Sequence, residues 1–173
     1  MTFYATIIIF LVIGKQAIGE YYWRDWNGTA PTDAFIAGND TRGAVYIAQA
    51  FLKNQGLYVG QILGGERSIT INPTLSTGPL QASSVLKVLC TNKDTLRWIP
   101  SNTTVTQKLI KYTRPVIGGV AYNNNTIYVA KYILNNYLFI GSVHTDFYAY
   151  YTNNLGNGAY SNSLYQLLIH ALY

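Results

Sequence analysis

The chain has 173 residues, a formal net charge of +5, 11% charged residues and a single cysteine. Its basic residues are scattered, with no block of five, which argues against a nucleic-acid partner because such binding needs charge clustered on one face. One cysteine excludes an internal disulfide, and a domain of this length buries enough surface to fold without one.

The first segment, MTFYATIIIFLVIGKQAIG, holds an apolar run from Phe3 to Gly14 that is shorter than the roughly 20 residues a bilayer span requires. With Ala17 and Gly19 at the small-residue positions before Glu20, residues 1–19 read as a secretory signal peptide. No later run reaches membrane length, so the expected product is secreted and extracellular, with no membrane span after cleavage. Four N-x-[ST] sequons, at Asn27, Asn39, Asn102 and Asn124, fit that reading and sit among loop-forming residues as glycosylation sites do.

From Ala34 onward the chain reads as strands. AFIAG, AVYIAQAFL, LYVGQIL, RSITIN and SVLKVLC are short, rich in Val, Ile and Tyr, and bounded by turn signals such as GND, KNQG and LGGE. The imperfect alternation of AVYIAQAFL suits a strand covered on both faces. Cys90, at the end of SVLKVLC, reads as a small buried hydrophobe, with a nucleophile or an intermolecular disulfide as the reactive alternatives.

The pattern then returns. IAGNDTRGAVYIAQAFLKNQGLYVGQI (36–62) aligns with IGGVAYNNNTIYVAKYILNNYLFIGSV (117–143), with one extra residue in the second copy's first turn and one fewer in its next. Downstream, SSVLKVLC meets NSLYQLLI. Two copies of about 80 residues predict one all-β domain with a pseudo-twofold axis, sandwich or barrel-like, divided into residues 20–110 and 111–173. The closing SLYQLLIHALY fits a strand or a short helix, and periodicity does not decide between them.

Catalytic patterns are absent from this reading. His144 and His170 are the only histidines and lack metal-ligand spacing, and no glycine-rich turn links a strand to a helix for a nucleotide-like cofactor. His144 and Asp146 in HTD resemble an acid–base pair only as far as any alternating strand residues do. The sequence therefore predicts no enzyme, no metal and no cofactor.

The stretch from Ala34 to Ile62 resembles the DM9 repeat, whose core runs roughly A-[VI]-x-G-G-x-D-x-x-G-x-x-[LI]-Y-[VI]-[GA]-R-A, followed by a loop ending L-x-P-G-K. The repeat's closing Y-E-V-L strand is matched by LKVL at Leu86–Leu89 and YQLL at Tyr165–Leu168, and WRDWNGTAP and RWIPSNT resemble the tryptophan-bearing segments that introduce each copy. The resemblance runs from Trp23 to Ile169. It implies two interlocked repeats, often in a homodimer, as in insect secreted proteins and mannose-binding bivalve lectins. A lectin-like protein of immunity or host–microbe contact, with a carbohydrate or glycoprotein partner, is the expectation.

In the mannose-binding relatives, the aspartate of G-x-D and the lysine of P-G-K meet the sugar. A carboxylate accepts from neighbouring hydroxyls and an ammonium donates to their oxygens. Carried over, these positions are Asp40 and Gln61, the latter keeping a donor but losing the charge. The second copy has Ala121 and Ser142 there and loses the chemistry, so one degenerate site is expected. Asn39 flanks it, and a glycan on Asn39 would compete with a bound sugar. Asp40 also suits a turn for its own backbone bonding. Tyr148 and Tyr150, expected to share a face opposite Phe147 and Ala149, are a second contact candidate, with cross-strand packing as the alternative. The competing function is a secreted interaction or structural protein that has lost sugar binding and meets protein partners through tyrosine-rich strands.

Overall fold

The computed structural model describes residues 21–74, 76–92, 94–152, 158–161 and 164–171; the signal peptide expected over residues 1–19 lies outside them. The elements are β1 (Tyr22–Asp25), β2 (Ile36–Asp40), β3 (Gly43–Leu52), β4 (Gly56–Leu63), β5 (Ile69–Ile71), β6 (Leu80–Ala82), β7 (Lys87–Cys90) and β8 (Leu96–Ser101). They continue as α1 (Thr103–Tyr112), β9 (Arg114–Pro115), β10 (Ile117–Ala121), β11 (Thr126–Leu134), β12 (Tyr137–Val143), β13 (Ala149–Thr152), β14 (Gly158–Ser161) and β15 (Tyr165–His170). Among the described residues the domain is all-β with one short helix. Its main sheet runs β1-β7-β3-β4-β10-β11-β12-β13-β14 and is open at both ends, which leaves the sandwich of the two expected shapes.

The strand registers carry the repeat. Ala48 lies opposite Gly60 and Val88 in the first copy, and Ala130 lies opposite Gly141 and Leu167 in the second. The hairpin entering each long strand bulges at the same place, between Ile36 and Gly38 and between Ile117 and Gly119. Trp23 pairs with Leu89 on β1–β7, and Trp98 pairs with Leu168 on β8–β15. Strand β8 thus stands to the second copy as β1 stands to the first, and the expected division at 110/111 falls inside α1.

Packing follows the alternation of β3. Ala48, Ala50 and Leu52 bury one face among Tyr58, Ile62, Ile69 and Ile71, while Val45 and Ile47 bury the other. The second face is the shared layer: Ile47, Val59 and Leu89 meet their counterparts Val129, Ile140 and Leu168. Beyond β11, Ala130, Val143, Leu167 and Ile169 form the outer cluster of the second copy, with Leu109 of α1 packed on it. Each fully buried side chain of this size stabilises the fold by roughly 1.5–3 kcal/mol against exposure.

Two segments differ from expectation or settle it. The closing segment is strand β15, because it is hydrogen-bonded to β8 along its whole length and to β11 on its other edge. Helix α1 was not expected, since TTVT reads as β-rich. It starts because Asn102 serves as N-cap, its side-chain oxygen accepting from the Val105 N–H at 2.9 Å. The differing turn lengths have a backbone cause as well. Asn135 and Asn136 both take positive φ (51° and 64°) in a two-residue turn joining β11 to β12, the type I′ pattern. The first copy uses Lys53–Gln55, closed by the Gln55 N–H to the Leu52 carbonyl.

Candidate functional site

Strand β2 ends in the turn Asp40–Gly43, and this turn reaches across to β12 of the other copy. The Asp40 carboxylate accepts from the Arg42 backbone N–H at 2.8 Å, from Arg42 Nε at 3.1–3.2 Å and from Arg42 Nη2 at 2.5 Å. Its Oδ2 also accepts from the Leu138 N–H at 3.0 Å, while Arg42 Nη2 donates to the Leu138 carbonyl at 3.1 Å. The two side chains together therefore bind both peptide groups of Leu138. On the other side of the axis the equivalent residue, Leu57, is paired by backbone to Val120 of β10. Side chains in one half replace a strand pairing in the other.

The carboxylate is enclosed, with 1% of the Asp40 side chain exposed against 26% of Arg42. The Arg42 guanidinium beside it, helped by the Leu138 and Arg42 amides, outweighs the cost of burial and holds Asp40 at about 2, down from 3.8. Gln61 joins the same cluster: with its amide oriented to satisfy both atoms, it donates to the Leu138 carbonyl at 2.9 Å and accepts from Arg42 Nη1 at 3.2 Å. Arg42 also lies over the Tyr137 ring, 5.4 Å from its centre.

The structure therefore brings Asp40 and Gln61 together, around a cation that the sequence reading passed over. Arg42 places a positive charge between Asp40 and Gln61, and its position two residues after Asp40 in DTRG was the available signal. Asn39 is exposed beside Asp40, pairing with Ala44; neighbours on a strand point to opposite faces. Ser142, the second-copy counterpart of Gln61, is buried and donates to the Val59 carbonyl at 3.4 Å.

Tyr148 and Tyr150 flank the buried Ala149, as alternation over these three residues places them. Phe147 takes a positive φ of 63°, which removes it from that alternation, and β13 begins at Ala149. Both tyrosines are half-buried. The Tyr150 hydroxyl donates to Asp146 Oδ2 at 2.6 Å, and its ring meets His144 edge-on at 4.7 Å.

Of the sequons, Asn27, Asn39 and Asn124 are exposed, and Asn102 is half-buried as the helix cap. Cys90 is buried, and burial, with Asp33 nearby, pushes its thiol up to about 11, far from a reactive thiolate. No helix among the described residues is long and apolar enough to cross a membrane. The sequence matches no family model, and no curated protein is a significant match to it.

Proposed function

We propose that the protein is a secreted carbohydrate-recognition protein whose mannose-type glycan site is the Asp40–Arg42–Gln61–Tyr137 cluster. The observation that carries this reading is the placement of Arg42, which meets Asp40, Gln61 and the Tyr137 ring at once. The Arg42 fork is spent on Asp40, the Leu138 carbonyl and Gln61, which fixes its partly exposed positive charge beside the Tyr137 ring, and a tyrosine ring packs on the apolar face of a sugar. Asp40, being enclosed, positions Arg42 rather than touching the ligand. The secreted character rests on the signal-like first segment and the sequons.

Glycan-array binding tests this. The full chain is expected to bind mannose-rich glycans, Arg42→Ala to abolish the signal, and Asn39→Gln to leave or strengthen it. Silence from the wild type and Asn39→Gln at millimolar sugar removes the reading.

A second reading, a protein-contacting scaffold, is favoured by one observation. Phe51 and Val85 (63% and 74% exposed) and their counterparts Ile133 and Leu164 (58% and 77%) leave matching apolar pairs on the two copies. Light scattering across a concentration series distinguishes self-association through these pairs from a monomer.

A further inference from the structure

Helix α1 turns a face of one charge sign outward. Its inner side is fixed: the buried Thr106 hydroxyl is hydrogen-bonded to the Tyr165 hydroxyl at 2.6 Å and to Ser101 Oγ at 2.5 Å, and Leu109 packs on the outer cluster of the second copy. The helical period then leaves Val105, Lys108, Lys111 and Tyr112 on the outward side, and all four are exposed. Val105, Lys108 and Tyr112 follow one another at i, i+3 and i+7, and Lys111 stands beside Lys108 one turn on. The Thr113 N–H and hydroxyl both donate to the Leu109 carbonyl, at 2.8 and 2.7 Å, which ends the helix and brings the exposed Arg114 directly after it in β9.

These cations have no acidic counterparts nearby in the chain. From Thr95 to Thr145 the sequence holds five basic residues and no acidic one. The helix therefore lacks the carboxylates at three- and four-residue spacing that pair with lysines on an exposed helix face, and its first turn carries none either. Among the described residues the ion pairs join Arg24, Arg42, Lys87 and Arg97 to aspartates, and Lys108, Lys111 and Arg114 belong to none of them. The helix dipole accounts for one cation in the last turn, Lys111. It does not account for Lys108 a turn earlier or for Arg114 beyond the cap.

We propose that this face docks the chain on an anionic lipid surface, with Lys108, Lys111 and Arg114 meeting the headgroup anions and the Tyr112 ring seated at headgroup level. Charge complementarity sets the sign of the partner, and shape selects a surface over an acidic peptide. The outer side of a helix is convex and offers no walls to close on a single segment, whereas a plane of headgroups meets it along its length. Tyrosine, apolar in body and polar at its tip, suits that boundary, and lysine stems lie along it while their ammonium groups stay in water. Tyr112 is 74% exposed, and the Lys111 ammonium lies 5.3 Å from its ring centre, so ring and charge are presented together.

The docking is peripheral, because the apolar side of α1 is already spent on the core. Each cation near an anionic surface strengthens partition about fivefold, so the three together contribute about a hundredfold. The face uses none of the Asp40–Arg42–Gln61–Tyr137 cluster and stands whether or not that cluster binds sugar.

The test is co-sedimentation of the full chain with vesicles of phosphatidylcholine carrying about 30% phosphatidylserine, and with pure phosphatidylcholine, in about 0.1 M and about 1 M salt. Thr104→Ala serves as the parent, since it removes the Asn102 sequon and keeps the Asn102 cap. Binding is expected on the anionic vesicles at the lower salt only. Lys108→Gln/Lys111→Gln/Arg114→Gln is expected to weaken it about a hundredfold, and Tyr112→Ser to weaken it as well. Lys53→Gln/Arg67→Gln, which removes exposed charge elsewhere, is expected to leave it nearly unchanged, and thermal melts verify that every variant stays folded. An equal loss per charge in the Lys53/Arg67 variant would reflect net charge alone and overturns the proposal. So does equal binding to pure phosphatidylcholine, or no binding to the anionic vesicles. Retention on polyglutamate without vesicle binding assigns the face to an acidic protein and overturns it too.

Discussion

Gln49 and Lys131 occupy the same position on the two long strands, and each donates to the bulge carbonyl of the other copy: Gln49 Nε2 to Gly118 at 2.6 Å, and Lys131 Nζ to Ala37 at 3.2 Å. The bulge is what exposes a carbonyl for this, because the extra residue has no partner in its own hairpin. The two repeats are thus clasped reciprocally across the shared apolar layer. The lysine version adds a cation 4.5 Å above the Trp98 ring.

Removing either clasp has a different expected cost. Gln49→Leu leaves the Gly118 carbonyl without its donor in a buried setting and is expected to lose about 1–3 kcal/mol in urea unfolding. Lys131→Gln imitates the other copy and removes a charge whose pKa burial already lowers. It is expected to cost less than about 1 kcal/mol, the loss being that of the ring contact. Equal costs for the two variants would contradict the reciprocal reading.

These contacts also show where sequence reading stops. The repeat, the strands and the two-sided burial of β3 were legible because hydrophobic alternation and turn residues are local signals. Asp40 and Gln61 were named from their places in the pattern, but the clustering around Leu138 depends on a residue 98 positions from Asp40 in the chain. Helix α1 escaped because β-branched threonines mask a start set by one capping side chain. For Tyr148 and Tyr150 the alternation about the buried Ala149 was legible, while the positive φ that takes Phe147 out of it carries no local sequence signal.

Acid should loosen the clasp between turn and strand at Asp40. Its carboxyl titrates at about 2 in the fold against 3.8 ordinarily, so the unfolded chain binds the proton first as pH falls. The stability contributed by the ionised form is complete above the ordinary value and is lost as pH drops from about 4 through about 2. Melting temperatures across that range should fall more steeply for the wild type than for Asp40→Asn. At pH 7 the substitution is expected to cost about 1.5–3 kcal/mol, as for hydrogen bonds to charged groups. Parallel pH profiles would mean the carboxylate is not coupled to the fold.

The crossing of β4 and β10 gives a sharper expectation. A Cβ at Gly119 would lie 1.9 Å from the Leu57 carbonyl oxygen, a backbone atom that cannot swing aside. Gly119→Ala is expected to destabilise by more than about 3 kcal/mol, at the large end of single substitutions. Gly64→Ala meets nothing within 4 Å and is expected to stay within about 0.5 kcal/mol. Paired denaturation curves decide it, and a mild effect at Gly119 would mean that β4 and β10 separate more readily than their pairing indicates.

Val85 offers the opposite sign. It precedes β7 with φ of 52° and 74% exposure, a left-handed conformation that a β-branched side chain adopts only under strain and with little burial to offset it. Asparagine and glycine enter that region far more easily. Val85→Asn and Val85→Gly are therefore each expected to raise stability by about 1 kcal/mol, while Val85→Ala, which keeps a Cβ in the same conformation, gains less. If Val85 belongs instead to a self-association surface with Phe51, the asparagine variant should also weaken concentration-dependent oligomer formation. A stabilised variant whose association is unchanged would separate the strain from any contact, and would leave the valine without a role in partner binding.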